Sequence, residues 1–208
     1  LRDDPKTALA DREHFLGIIV SETERLTRLV NQILDMAKIE SGNAEWLVED
    51  VDLASVVEQS AAATSQLFRD KGVSLTLNLA PGLPLLRADR DRMMQVVINL
   101  LSNAVKFAPQ GEGKVTVSLT ADETELRVVV RDNGPGIRKE DQKVIFDRFR
   151  QGGDAMTSKP TGTGLGLPIS LKIVEYFGGK LWVESEPGEG ASFIFSLPRP
   201  AEEREGDI

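Results

Sequence analysis

Cysteine is absent from the 208 residues. Its absence excludes disulfides and thiolate metal sites and fits a reducing compartment. Long apolar runs are missing too, and no stretch approaches the length of a membrane span. The first residues, Leu1-Arg-Asp-Asp-Pro5, are no signal peptide, so the chain reads as soluble. Basic charge is in short supply: 25 Lys and Arg stand against 33 Asp and Glu, a net charge of −8. A domain so acidic sets up no general field for polyphosphate, and no nucleic-acid partner is expected. An anionic ligand can still be held locally by backbone N–H groups, a few basic side chains and a metal ion. Histidine occurs once, as His14, and no internal repeat is visible.

What is present is ordinary for a globular protein. Hydrophobic residues make up 40% and charged residues 28%, in a chain long enough to bury a core without staples. The first segment, 9–39, is a predicted helix. Leu16, Ile19, Thr23, Leu26, Val30, Ile33 and Ala37 recur at alternating spacings of three and four, the pattern of a coiled-coil seam. Phe15, Ile18, Leu29 and Leu34 widen it towards a bundle face, and Ser41-Gly42 supplies a stop. So wide a stripe needs a partner; packing on the helix's own domain is the alternative.

Beyond residue 42 the pattern is mixed. Residues 46–53 read as an extended lead-in, 54–69 as a helix, 73–79 as an alternating strand and Pro81-Gly82 as a turn. Asp89 is a good N-cap for a helix over 90–107. Strands are predicted at 115–120 and 126–131, a Gly-, Ser- and Lys-bearing loop at 137–163, a helix at 167–177, and strands at 181–186 and 192–197. The expected fold class is α+β: a two-layer α/β sandwich, its sheet mixed but mainly antiparallel with helices on one face, preceded by the long coiled-coil-like helix. The expected divisions are 1–42, a linker at 43–50, the α+β domain at 51–200 and a disordered tail at 201–208.

Chemistry concentrates in three segments. Asn99, Asn103 and Lys106 project from one face of the predicted helix, while Val96, Val97, Leu100, Leu101 and Ala104 fill the others. Amide oxygens suit Mg2+ and a lysine suits phosphate; taken alone, a solvated polar face fits as well. Asp132-Asn-Gly-Pro-Gly-Ile137 follows an apolar strand. A carboxylate at a strand end, followed by two glycines, lets a flat ligand approach the backbone. Asp132 can accept a hydrogen bond from an exocyclic amine such as adenine's, although in isolation a plain turn is the stronger reading. Gly162-Thr-Gly-Leu-Gly-Leu167 opens a helix. There glycines free N–H groups to point at phosphate oxygens, and the helix dipole favours anions. It is not a dinucleotide-binding fingerprint, because a polar loop precedes it rather than a strand and the spacing differs.

Together, their order and spacing are specific. Residues 90–198 resemble the catalytic, ATP-binding domain of sensor histidine kinases. The asparagine helix resembles their N box, 132–137 their first glycine box, Ile145-Phe-Asp-Arg-Phe149 their F box, 162–167 their second glycine box and 188–198 the end of the domain. Residues 11–42 resemble the second helix of their dimerisation and phosphoacceptor hairpin, especially Glu24-Arg-Leu-Thr-Arg-Leu-Val30 and Lys38-Ile-Glu-Ser-Gly42.

The resemblance implies ATP and Mg2+ as ligands. It implies that Asn103 coordinates the Mg2+ with Asn99 in support, that Lys106 contacts phosphate or ribose, and that Phe107 walls the base pocket. Asp132 is implied to take the adenine amine with help from Ser192, and Gly136, beside Gly134 and Ile137, to leave room for the base. Gly162, Gly164 and Gly166, interleaved with Thr163, Leu165 and Leu167, are implied to let backbone amides reach the phosphates. The loop 137–163 is implied to be a lid. Arg148, with Arg150 and Lys159 as weaker candidates, is implied to offset charge on the γ-phosphoryl group. The implied reaction is phosphoryl transfer to a histidine on the first hairpin helix, then to an aspartate of a response regulator receiver domain. The implied setting is a homodimer in the full-length protein, cytoplasmic or the cytoplasmic part of a membrane-anchored sensor, reaching the membrane only through N-terminal regions. ATP hydrolases that share this fold, such as gyrase and mismatch-repair ATPases, carry a glutamate where this chain has Asn99. An amide does no general-base work, which favours transfer to a protein nucleophile over hydrolysis.

The single histidine departs from the family's pattern. The phosphorylated histidine of the family lies on the first hairpin helix, before an acidic residue and a Leu-Arg-Thr-Pro-like run. His14 is followed by Phe-Leu-Gly-Ile and sits in the context of the second helix. The chain is therefore expected to bind ATP without phosphorylating itself, its apolar seam left to weak and irregular self-association. Incubation with γ-labelled ATP should leave His14 unlabelled. A label that appears there and disappears in His14→Gln would contradict the assignment of 11–42 to the second helix.

Overall fold

A computed structural model describes residues 5–149 and 163–199. The predicted tail, 201–208, and the central part of the predicted lid, 150–162, lie outside the described residues. The chain divides into two compact units, Leu1–Ala44 and Glu45–Ile208.

The first unit is one helix, α1 (Pro5–Glu40). It ends where Ser41, Gly42 and Asn43 return their N–H groups to the carbonyls of Ala37, Ile39 and Lys38, with Gly42 at φ 71°. Only glycine takes that left-handed angle without strain. Leu16, Ile19, Leu26, Val30 and Ile33 of the predicted seam are all exposed. Among the described residues, no helix is long and apolar enough to cross a membrane.

The second unit runs β1 (Val48–Val51), α2 (Leu53–Lys71), β2 (Ser74–Leu79), β3 (Leu86–Asp89), α3 (Arg90–Phe107), β4 (Lys114–Ala121), β5 (Glu125–Asp132), a short α4 (Asp141–Val144), α5 (Gly166–Tyr176), β6 (Lys180–Ser185) and β7 (Ala191–Pro198). The main sheet has the order β2-β4-β5-β7-β6. Only β2 pairs in parallel; the other neighbours are antiparallel. Strand alternation places Val115, Val117, Leu119, Val128, Val130 and Phe195 in the core, on the face against which α2, α3 and α5 pack. Each such side chain contributes on the order of 1.5–3 kcal/mol of transfer free energy. The expected α+β sandwich is therefore what forms, and its antiparallel majority follows from the hairpins β4–β5 and β6–β7.

α3 carries four of the predicted site residues, Asn99, Asn103, Lys106 and Phe107, and both its ends are pinned. Asp89 accepts the Arg92 N–H on Oδ1 at 3.0 Å and the Leu47 N–H on Oδ2 at 2.9 Å, so one buried carboxylate caps the helix and anchors the incoming chain. At the other end Lys71 donates from Nζ to the carbonyls of Val105 and Lys106, at 2.8 and 2.6 Å. A cation there also complements the helix dipole.

Three departures from the sequence reading have physical causes. β3 was not anticipated: its four residues run straight into the α3 cap, and only their pairing with β1 makes them a strand. α4 is a single turn inside the expected loop. Residues 45–50, placed in the linker by pattern, belong to the second unit. There Leu47 bonds Asp89, and Trp46 stacks on Tyr176 with ring centroids 3.8 Å apart.

Candidate functional site

The polar face of α3 meets the start of α5. Asn99 and Asn103 are half-buried. The Asn99 Nδ2 donates to the hydroxyl of Ser170 at 3.0 Å. A Cβ placed on Gly166 would fall on the Asn99 amide, so α5 begins flush against α3 because residue 166 has no side chain. Leu165, in the N-cap position, is 1% exposed, and its side chain makes no capping hydrogen bond. The N-cap residue supplies no side-chain cap to α5, and the first N–H groups of a helix carry partial positive charge. Thr163 accepts the Leu165 N–H at 3.3 Å, shaping the approach to the helix. Gly164 takes φ 69° and its carbonyl accepts the Phe149 N–H at 3.0 Å.

The far end of the same face meets the end of β5. A Cβ on Gly134 would lie 2.9 Å from the Phe107 carbonyl oxygen and 2.8 Å from the Asp132 carboxylate. The Gly134 N–H donates to Asp132 Oδ1 at 2.8 Å. Asp132 is 5% exposed. Burial pushes its carboxyl above the usual aspartate value, against hydrogen bonds from the N–H groups of Gly134 and Ala191 that pull it down. Phe107 is 46% exposed, with the Lys106 ammonium 4.7 Å from its ring centre. Partial burial lowers the pKa of that lysine.

The turn after Asp132 is held by residues that the sequence reading did not single out. Asn133 accepts the Lys114 N–H at 2.7 Å and donates to the Glu112 carbonyl at 3.1 Å, locking the turn to the start of β4. Ser185 accepts the Ile137 N–H at 2.8 Å and donates to the Gly190 carbonyl at 2.6 Å. Gln142 bridges the carbonyls of Ile137 and Ser185. Side chains at Gly136 and Gly190 would run into the backbone of Glu186 and of Asp132 respectively, and both residues have positive φ. Gly136 thus makes room for the β6–β7 hairpin. No residue-type signal distinguishes Asn133, Gln142 and Ser185 from ordinary loop polar residues.

Asn99 meets Gly166, next to Leu165, at one place on α3, and the Phe107 carbonyl meets Gly134, beside Asp132, at the helix end, where the Lys106 ammonium lies over the Phe107 ring. Asn103 lies on that face between Asn99 and Phe107. Leu167 is half-buried in the first turn of α5. Ser192 is not brought to Asp132. The register pairs Ser192 with Arg131, and adjacent residues point to opposite faces, so its side chain lies on the sheet face away from the carboxylate. The neighbour that reaches Asp132 from β7 is Ala191, through its backbone N–H. Arg148 is exposed, one residue before Phe149. Gly162, Arg150 and Lys159 lie outside the described residues.

The donor set suits one kind of ligand. A buried carboxylate at one end of α3 can accept from an amine. Helix N–H groups at the start of α5 can attract an anion. Neutral amide oxygens between them suit a small hard cation shared with that anion.

Comparison with known proteins points the same way. The profile of the histidine kinase-, DNA gyrase B- and HSP90-like ATPases matches residues 88–201. The chain is 36% identical to the sensor histidine kinase WalK of Bacillus subtilis over 199 residues, covering 93% of this chain and 31% of WalK. It is 34% identical to the sensor protein GacS of Pseudomonas syringae, covering 98% of this chain and 23% of GacS. It therefore spans less than a third of either curated relative. Full-length ShkA in complex with AMPPNP superposes with a TM-score of 0.79 at 29% identity, covering 90% of this chain and 39% of ShkA. The histidine kinase ThkA in complex with the response regulator protein TrrA gives 0.71 at 29% identity, covering 97% and 54%.

The raised pKa of Asp132 predicts a signed pH effect. The folded carboxyl binds its proton more tightly than the unfolded one, so ionising it costs stability. That cost is absent below the unfolded value, grows through the window between the two values and is complete above the folded one. Asp132→Asn should therefore gain stability relative to the parent, and gain more at about pH 7 than at about pH 4, in paired denaturant titrations. A difference that is constant, or larger in acid, would show that burial of this carboxylate carries no such cost.

Proposed function

The chain belongs to the family of histidine kinase-, DNA gyrase B- and HSP90-like ATPases. From that premise we propose that it is the ATP-binding catalytic part of a sensor histidine kinase, passing the γ-phosphoryl group to a histidine on a partner helix and from there to a response regulator. One observation carries this reading: α3 touches both glycine turns, so an amine-accepting carboxylate and an anion-attracting helix start flank one amide-bearing face. Its likeness to ShkA bound to AMPPNP and to ThkA bound to TrrA supports the two halves of the proposal.

In this reading Asp132 accepts the exocyclic amine of adenine, and Phe107 lies along the base. The N–H groups at the start of α5 receive phosphate oxygens, with Lys106 adding a positive charge near the phosphate or ribose. Asn103 and Asn99 offer carbonyl oxygens to Mg2+, which supplies the positive charge that offsets the clustered phosphate oxygens. Arg148 offsets charge on the transferring group. The α3 face provides amides and an ammonium but no carboxylate, so it has no base for activating water. That favours a protein nucleophile, and the exposed stripe of α1 is a surface that a partner helix of a dimeric bundle would cover.

Calorimetric titration should detect Mg-ATP binding. Asp132→Ala should weaken it by about 10- to 100-fold, the loss expected for a hydrogen bond to a charged group. Steady-state phosphate release should stay near background. Unchanged affinity in the variant, or brisk hydrolysis by the parent, would refute the proposal.

A further inference from the structure

We infer that Ser170 is the positioning residue for Asn99: its buried hydroxyl fixes which end of the amide faces the phosphate end of the site. The inference rests on the nucleotide reading above and assigns it one more residue.

Ser170 lies four residues after Gly166, so both occupy the side of α5 that faces α3. It is 1% exposed, and its buried neighbours on the helix, Ile169, Ile173 and Val174, are apolar. An alanine would suit such a position better on packing and helix propensity alone. What the hydroxyl adds is the 3.0 Å bond to Asn99 Nδ2. Gly166 offers bare backbone to the same amide, so the amide is gripped between a glycine and a hydroxyl one helical turn apart.

The two ends of an asparagine amide are alike in size and opposite in chemistry. The oxygen accepts and can ligate a cation; the nitrogen donates and repels one. A hydroxyl inside a helix commonly gives its hydrogen to the carbonyl four residues earlier, as Ser60 and Thr64 do in α2, and then presents lone pairs to its neighbours. A hydroxyl so disposed takes the nitrogen end of Asn99, which turns the oxygen end towards Gly166 at the start of α5, the phosphate end of the proposed site. Without it the amide can turn over at small steric cost, offering donors where a divalent cation needs an acceptor.

The readout is the gain in nucleotide affinity that Mg2+ provides, taken as the ratio of ATP affinity with Mg2+ to that with chelator. Ser170→Ala should reduce this ratio by about tenfold while leaving the metal-free affinity unchanged. Ser170→Thr, which keeps the hydroxyl, should preserve it. Asn99→Ala should lose the gain as Ser170→Ala does. If Asn99→Ala loses the gain and Ser170→Ala keeps it, the positioning role is refuted and the site reading stands. If Ser170→Ala weakens both affinities in proportion, the hydroxyl is structural only. If the parent gains nothing from Mg2+, the site reading itself fails.

Discussion

The approach of α3 to two glycines is the contact on which the rest depends. The Asn99 amide occupies the space a side chain at 166 would need, and the Phe107 carbonyl lies against Gly134. Both are contacts of helix with bare backbone, and neither survives an added methyl without displacement. Because one rigid helix makes both, it sets the distance between them. Eight residues of helix rise span roughly 12 Å, a separation comparable to that between a purine's amine and its outer phosphates. The anchors that fix α3 lie outside the site: Asp89 at its start and Lys71 at its end.

That spacing also resolves an electrostatic difficulty. An acidic chain must hold a highly anionic ligand, and the site contains a buried carboxylate of its own. Asp132 stands at the end of α3 remote from the start of α5, so in the proposed reading its charge would face the base and not the phosphates. In the same reading the anion would be met by helix N–H groups and neutral amides, which bring little charge of their own into the protein. Burial of Asp132 keeps its acceptor oxygens out of competition with water but raises its pKa. The three glycines around it let the turn and the hairpin close over that carboxylate.

Much of this was legible before any coordinates. The helix predicted from Arg90 to about Phe107 is α3, because a capping aspartate and a helical spacing of polar and apolar residues agreed. The α+β class followed from alternating strands and short turns. Four-residue elements such as β3 and α4 escaped because they hold too few residues to show a period. Ser192 was misassigned because sequence order does not give register, and a shift of one residue turns a side chain to the opposite face. The glycines were noticed as loop formers, yet at 136, 166 and 190 their purpose is to admit a neighbour's backbone or amide. Ser170, Ser185 and Gln142 could not be picked out at all, since only tertiary contact distinguishes them.

The central claim is that the two ends of α3 serve one ligand. Its most direct test is an NMR titration of the labelled chain with Mg-AMPPNP, following the Asn99 and Asn103 side-chain amides with the backbone amides of Gly134 and Gly164. The account predicts that all four report the same dissociation constant and saturate together. Movement of the asparagines and Gly164 without Gly134, or two distinct binding curves, would mean that the carboxylate end and the phosphate end do not belong to one site.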